Sequence, residues 1–314
     1  MTQEAVQATA AVQERVARDP STRPGRRHSR RGGNVWGYVA IPAVIVAALA
    51  LYPLLYNVWL SLHVDHLTPS DGQFVGLLNY RNVFRFDKFG PVLLITVVWT
   101  ASSVALQFVI GFVAALALEV NIRGTGAIRT LLLTPWVMPG VVIGAVWLAI
   151  YNPIAGLVTE VLGWFGASGI DLLGTHSTAL AALVFTNVWK GFPFWMLMIS
   201  AGLKAIPSEL HEAAAVEGAT YPQRIRHVVL PGLSNVLVLT GILAVIWTFN
   251  YFDLAYTMTN GGPDGATTTV PFLTWQTSFQ FNRFDEGAAQ SVLTFILMAV
   301  AIGSYLRVSR FGRS

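Results

Sequence analysis

The sequence predicts an all-α membrane protein with six transmembrane helices, and three observations predict it. Of 314 residues, 54% are hydrophobic and only 11% charged, where soluble domains carry roughly 25% charged residues. With a mean hydropathy of +0.56, the apolar residues gather into runs of about 20 or more, enough to cross a hydrocarbon core as helices. Lys and Arg fall mainly between alternate runs, the distribution that the positive-inside rule leaves in a multi-pass chain.

The elements follow in order. Residues 1–34 are polar, rich in Arg (Arg15, Arg18, Arg23, Arg26, Arg27, Arg30, Arg31) and broken by Pro20, Pro24 and Gly25. They read as a disordered basic tail. The run from Trp36 to about Leu62 is too long for a signal-peptide core and is expected to be a retained first span, with Trp36 and Trp59 as interfacial anchors. It forms, with an outer loop, a segment over 35–90. Five further spans are expected at about 91–118, 128–150, 178–203, 233–256 and 288–307. These make a core over 91–307, with a short tail at 308–314. Ile154–Phe165 is apolar at helical spacing but too short to cross, so an interfacial or re-entrant helix is expected there.

Charge orients the spans. One side receives the seven tail arginines, Arg123 and Arg129, Lys204, Arg224 and Arg226, and Arg307, Arg310 and Arg313. The other receives Arg81, Arg85, Lys88 and Arg283. Both termini and the 204–232 loop are therefore expected in the cytoplasm, with the chain in the plasma (inner) membrane. A net charge of +4 thus reports topology and not a nucleic-acid surface.

Several chemistries lack their residues. Cysteine is absent, so disulfides, thiol nucleophiles and Cys-based metal sites are excluded. Lys88, Lys190 and Lys204 follow Asp, Trp and Leu, so no Gly-Lys phosphate loop can form and no nucleotide site is expected. The histidines lack His-x-x-x-His metal spacing, and there is no Gly-x-Ser-x-Gly elbow.

The cytoplasmic loop 204–232 reads as a helical hairpin. Pro207 and Ser208 open a first helix, Glu209 to Glu217 sustain it, and Gly218 suits a left-handed stop. Thr220-Tyr-Pro-Gln223 fits a capping box for a second helix, which Pro231-Gly232 is expected to end before the fifth span. The order Glu212-Ala213-Ala214, Glu217-Gly218-Ala219, Leu230-Pro231 resembles the EAA loop of permease subunits in binding-protein-dependent ABC importers, with Glu217 where Asp is commoner. The resemblance extends through Gly76-Leu-Leu-Asn-Tyr80, Val83-Phe84, Arg129-Thr-Leu-Leu-Leu-Thr-Pro-Trp-Val-Met-Pro139 and Thr259-Asn-Gly-Gly-Pro263. It covers the chain from about residue 36 to its end and is greatest to the larger maltose-type and glycerol-phosphate-type permease subunits.

That resemblance implies a type I ABC importer fold with a coupling-helix hairpin docking on an ATPase, and a carbohydrate as cargo. It implies a second homologous permease, an ABC ATPase dimer carrying ATP and Mg, and an extracytoplasmic solute-binding protein docking near the Asn-Gly-Gly-Pro turn. It also places sugar contacts at Trp189, Gly191 and Phe194, in Trp189-Lys-Gly-Phe-Pro-Phe194, and at Trp247, Thr248 and Tyr251. Thr248 and Tyr251 replace the asparagines of the maltose type. Independently, aromatic rings suit the C–H faces of sugars, while Asn187, Thr248, Asn250 and Tyr251 offer hydroxyl partners. Gly191-x-Pro193 is expected to loosen the fourth span. Lys190, a cation inside a span, is expected to meet a substrate group such as phosphate, pair with Asp253, or snorkel. Each aromatic also has the plainer role of helix packing.

Two other classes are weighed. An ion-coupled secondary transporter would want paired intramembrane carboxylates, whereas Glu119 lies at a span edge and Asp253 nearly alone. An integral-membrane glycosyl transferase would want clustered acids near one interface, which the loops lack.

Overall fold

The computed structural model describes residues 35–64, 72–85, 89–119, 124–166 and 169–311. The basic tail 1–34, the Trp36 side chain, Lys88, Arg123 and residues 312–314 lie outside the described residues. Two compact units divide the chain, residues 1–53 and 54–314. In the first, helix α1 (Val35–Ser61) begins and runs on across the boundary; its residues 42–53 are exposed and largely apolar, as lipid solvation allows.

In the second unit α1 ends at a two-residue antiparallel ladder, β1 (His63–Val64) with β2 (Gln73–Phe74). The short α2 (Leu78–Arg85) is fastened there by Asn79, whose amide donates to the carbonyls of Ser61 (3.1 Å) and His63 (2.9 Å). Trp59 stacks on His63 at 4.1 Å. Then come α3 (Phe89–Ala117), α4 (Thr125–Val137), α5 (Gly140–Ile150) and α6 (Leu157–Trp164). After α7 (His176–Leu203), the loop carries α8 (Ser208–Val216) and α9 (Tyr221–Arg224). A π-helical stretch, Ile225–Val229, leads into α10 (Leu230–Phe249); α11 (Val270–Trp275) and α12 (Phe284–Phe311) follow.

Among the described residues, five helices are long and apolar enough to cross a membrane; the pair α4 and α5, bent by 99°, is a sixth candidate, a broken span or a re-entrant loop. The third span was expected to be continuous, and this corrects it. Met138 and Pro139 are both extended (ψ 139°), because proline drives the residue before it out of the helical region and has no N–H to continue the ladder. The fifth span is corrected too. It runs unbroken from Tyr221 to Phe249, so Pro231-Gly232 does not end the second hairpin helix. The Leu230 N–H reaches the carbonyl of Ile225, the wide turn of a π-helix, and Pro231 then sits in the first turn of α10, where its missing N–H costs nothing.

The centre of the second unit is α7, which also stays helical through Gly191 and Pro193, against the expected loosening. Its neighbour α3 packs closely because Gly111 lets the backbones meet: a Cβ there would lie 2.8 Å from the Phe192 carbonyl oxygen. One core cluster joins Trp99, Ile143, Trp147, Leu183 and Phe272, and another joins Trp195, Met196, Ile199, Leu203 and Leu233. Helix α6 buries none of its residues, as an interfacial helix would.

Candidate transport site and coupling hairpin

The hairpin's geometry follows from three residue types. Helix α8 closes with the Ala219 N–H on the Ala214 carbonyl (2.9 Å) and the Gly218 N–H on the Ala215 carbonyl (3.1 Å). This is a Schellman closure, and it needs the left-handed φ of +76° that Gly218 adopts. Helix α9 opens with Gln223 Oε1 accepting from both the Thr220 N–H (2.7 Å) and its hydroxyl (2.8 Å). Neither α8 nor α9 buries a residue. Glu212, Ala213, Glu217, Gly218 and Pro231 are exposed, and Ala214, Ala219 and Leu230 half-buried. Val216, an apolar residue, is 89% exposed.

A cavity of about 380 Å3 lies between α3, α4, α7 and α10. It brings together eight residues singled out from the sequence: Asn187, Lys190, Gly191, Phe194, Trp247, Thr248, Asn250 and Tyr251. Trp189 is not among its lining. It packs on Trp147, ring centroids 5.6 Å apart, beside the core cluster around Trp99. Successive residues on a helix point about 100° apart, so Lys190 faces the cavity while Trp189 faces the packing.

One wall is aromatic. Phe194 stacks on Trp136 at 5.9 Å and meets Trp247 at 4.9 Å. The other wall is polar: Lys190 Nζ stands 5.3 Å from the Tyr251 ring centroid, and the buried Asn187 amide nitrogen and Tyr251 hydroxyl have no protein partner. Buried polar groups are seldom left so. Lys190 and Asp253 interact electrostatically, but among the described residues they form no salt bridge. Gly191 has a packing role: a Cβ there would fall 2.3 Å from Gln107 Nε2, which donates to the Asn187 carbonyl at 3.1 Å. Thr248 is held from behind, its carbonyl accepting from Trp99 Nε1 at 3.0 Å. Asn250 caps α10, donating to the Ile246 carbonyl at 2.8 Å.

Four lining residues, Gln107, Trp136, Ala244 and Ile246, were not singled out from the sequence. Trp136 sits just before the break between α4 and α5, and its position after Pro135 was the available signal. Gln107 was legible only as a lone amide within an apolar run.

Outside these sites, the Thr259-Asn-Gly-Gly-Pro263 segment is a turn, with Asn260 and Gly261 left-handed. Thr267 and Thr268 hydroxyls donate to the Gly262 and Gly261 carbonyls at 2.8 and 3.0 Å.

Comparison with known proteins agrees with this architecture. Residues 107–310 match the family model described as binding-protein-dependent transport system inner membrane component. The trehalose/maltose transport system permease protein MalF of Thermococcus litoralis is 36% identical over 88% of this chain and 94% of its own length. The trehalose transport system permease protein SugA of Mycobacterium tuberculosis is 31% identical over 96% of both. Among solved structures, a bacterial ABC transporter involved in the import of the acidic polysaccharide alginate superposes with a TM-score of 0.76 at 18% identity, over 88% of this chain and 95% of that one. The fold is thus that of a type I ABC importer permease, and the secondary-transporter and glycosyl-transferase readings fall away. The chain belongs to the family of binding-protein-dependent transport system inner membrane components.

Proposed function

We propose that this chain is the permease subunit of an ATP-driven importer that carries a carbohydrate, a di- or oligosaccharide or a sugar-like polyol phosphate, by alternating access. The pocket is the observation that carries the carbohydrate reading. Its Trp136, Phe194 and Trp247 rings offer faces for apolar sugar C–H groups, and the lining also includes Asn187 and Tyr251, which carry unpartnered buried donors. Lys190 donates to a substrate oxygen from the same wall. About 380 Å3 lies at the lower end of ligand-site volumes, suiting one or two sugar units of a longer molecule in passage. The named cargoes of the relatives, trehalose and maltose, support the same class.

The hairpin is the coupling element. Glu212, Ala213, Ala214, Glu217, Gly218 and Ala219 form the face that enters an ATPase groove, and Leu230-Pro231 continue it into the fifth span. A second permease completes the pathway, an ATPase dimer holds ATP and Mg, and an extracytoplasmic binding protein delivers the sugar. Both termini and the hairpin face the cytoplasm. Closure of the ATPase dimer pushes the hairpin, and the span that grows from it carries Trp247 and Thr248 with it. Reconstitution with the cognate ATPase, second permease and binding protein tests this. Uptake of labelled trehalose or maltose should require ATP and the binding protein, and flux without the ATPase would overturn it.

A further inference from the structure

On the side of the membrane from which the hairpin projects, the ends of α3 and α7 and the start of α4 enclose a second cavity of about 420 Å3, separate from the transport pocket. Its polar lining is Glu119, Thr125, Arg129, Ser200 and Lys204. Two cations and one carboxylate are among them. The 13-residue α4 also begins at this cavity, opening on Gly124, which has no side chain to cap it, and a helix start carries partial positive charge.

Two donors in this cavity are buried without a partner, Arg129 Nε and the Ser200 hydroxyl, and Ser200 is only 9% exposed. Buried donors are ordinarily paired, and a guanidinium nitrogen left unmatched, here on a half-buried arginine, is costly. Glu119 does not supply the match: it is exposed, and among the described residues it forms no ion pair with Arg129 or Lys204.

We propose that this cavity binds a phosphate oxyanion, carried either by an anionic phospholipid headgroup or by a soluble phosphate. The donor set is the argument. A guanidinium, an ammonium and a hydroxyl match the several acceptor oxygens of one phosphate, and Arg in particular offers a planar fork to such groups. Basic pockets between helices at a membrane edge sit at the depth of lipid headgroups. A phosphate held here ties α3, α4 and α7 together. Because Lys204 caps α7 directly ahead of α8, occupancy steadies the base from which the hairpin projects.

The purified importer assembly tests this with two probes. Native mass spectrometry measures retention of added phosphatidylglycerol against phosphatidylcholine, and thermal unfolding measures stabilisation by inorganic phosphate against chloride at equal ionic strength. The wild type should retain phosphatidylglycerol selectively, which assigns a headgroup, or be stabilised by inorganic phosphate, which assigns a soluble ion. Arg129→Gln should weaken the effective probe about tenfold, the scale of one hydrogen bond to a charged group. Ser200→Ala should weaken it less. The proposal is overturned if neither probe binds the wild type better than Arg129→Gln carrying Lys204→Gln. Should those variants fail to assemble, unchanged probe affinity in both Ser200→Ala and Arg129→Lys overturns it equally.

Discussion

The hairpin buries none of its α8 or α9 residues, while the proposed transport pocket is walled by residues from four helices and includes buried donors. The two regions use small residues to different ends, and only the pocket adds tryptophan. In the hairpin, small residues keep an outer face slim, and a single left-handed glycine sets the turn. In the pocket, glycine admits a neighbour's amide and tryptophan supplies a wall. On the proposed reading a contiguous exposed motif serves a partner outside the chain, whereas an assembled cavity depends on the packing of the chain itself. Changes in the hairpin should therefore break coupling and spare the fold. Changes in the pocket should alter transport and leave the ATPase attached.

The most disruptive test is Gly218→Pro. Proline cannot take a φ of +76° and removes the N–H given to Ala215; a cost of about 3 kcal/mol or more lowers the docked population by roughly a hundredfold. Uptake and ATPase co-purification should both collapse while membrane insertion persists. Full uptake by this variant would erase the distinction. Trp247→Ala comes next: losing the ring against Phe194 should cut uptake about tenfold, a change of about 1.4 kcal/mol, with the ATPase retained. Co-purification that falls in step would place Trp247 in the frame instead of the pocket. Gly191→Ala should cost about 1–3 kcal/mol by overpacking, since its Cβ must displace Gln107. A lowered unfolding midpoint in detergent is the readout. Thr220→Ala is the mildest, removing the cap of α9 for about 1 kcal/mol. It should weaken ATPase retention only when the ATPase is scarce, and an unchanged retention curve would show the cap to be dispensable.

The same contrast explains what the sequence disclosed. The hairpin was legible because its information is local: Glu217-Gly218-Ala219 encodes a Schellman closure and Thr220 to Gln223 a cap, each within one turn of chain. Five spans were legible from length and apolarity. The break at Met138-Pro139 was not, because a proline inside an apolar run leaves hydropathy continuous while the backbone turns by 99°. Pro231-Gly232 misled in the opposite direction, reading as a stop where a π-helical stretch carries the helix through. Trp136 joined the pocket unannounced because its partner Phe194 lies on another span. Trp189 was grouped with its sequence neighbours although its face of α7 meets Trp147. Spacing gives the face of a helix relative to itself, and only packing says which face meets the cavity.

The stretch Ile225–Val229 fixes the rotational phase between the hairpin and the fifth span. A π-helical turn takes in one residue more than an α-helical turn. Deleting a single residue within 225–229 would return the rod to ordinary pitch and keep both ends facing as they do. The same deletion within α10 would swing Trp247 about 100° around the axis, away from Phe194, with the hairpin untouched. The stretch is thus a tolerance zone in an otherwise rigid shaft, the place where the chain can lose a residue and still point its pocket side chains inward.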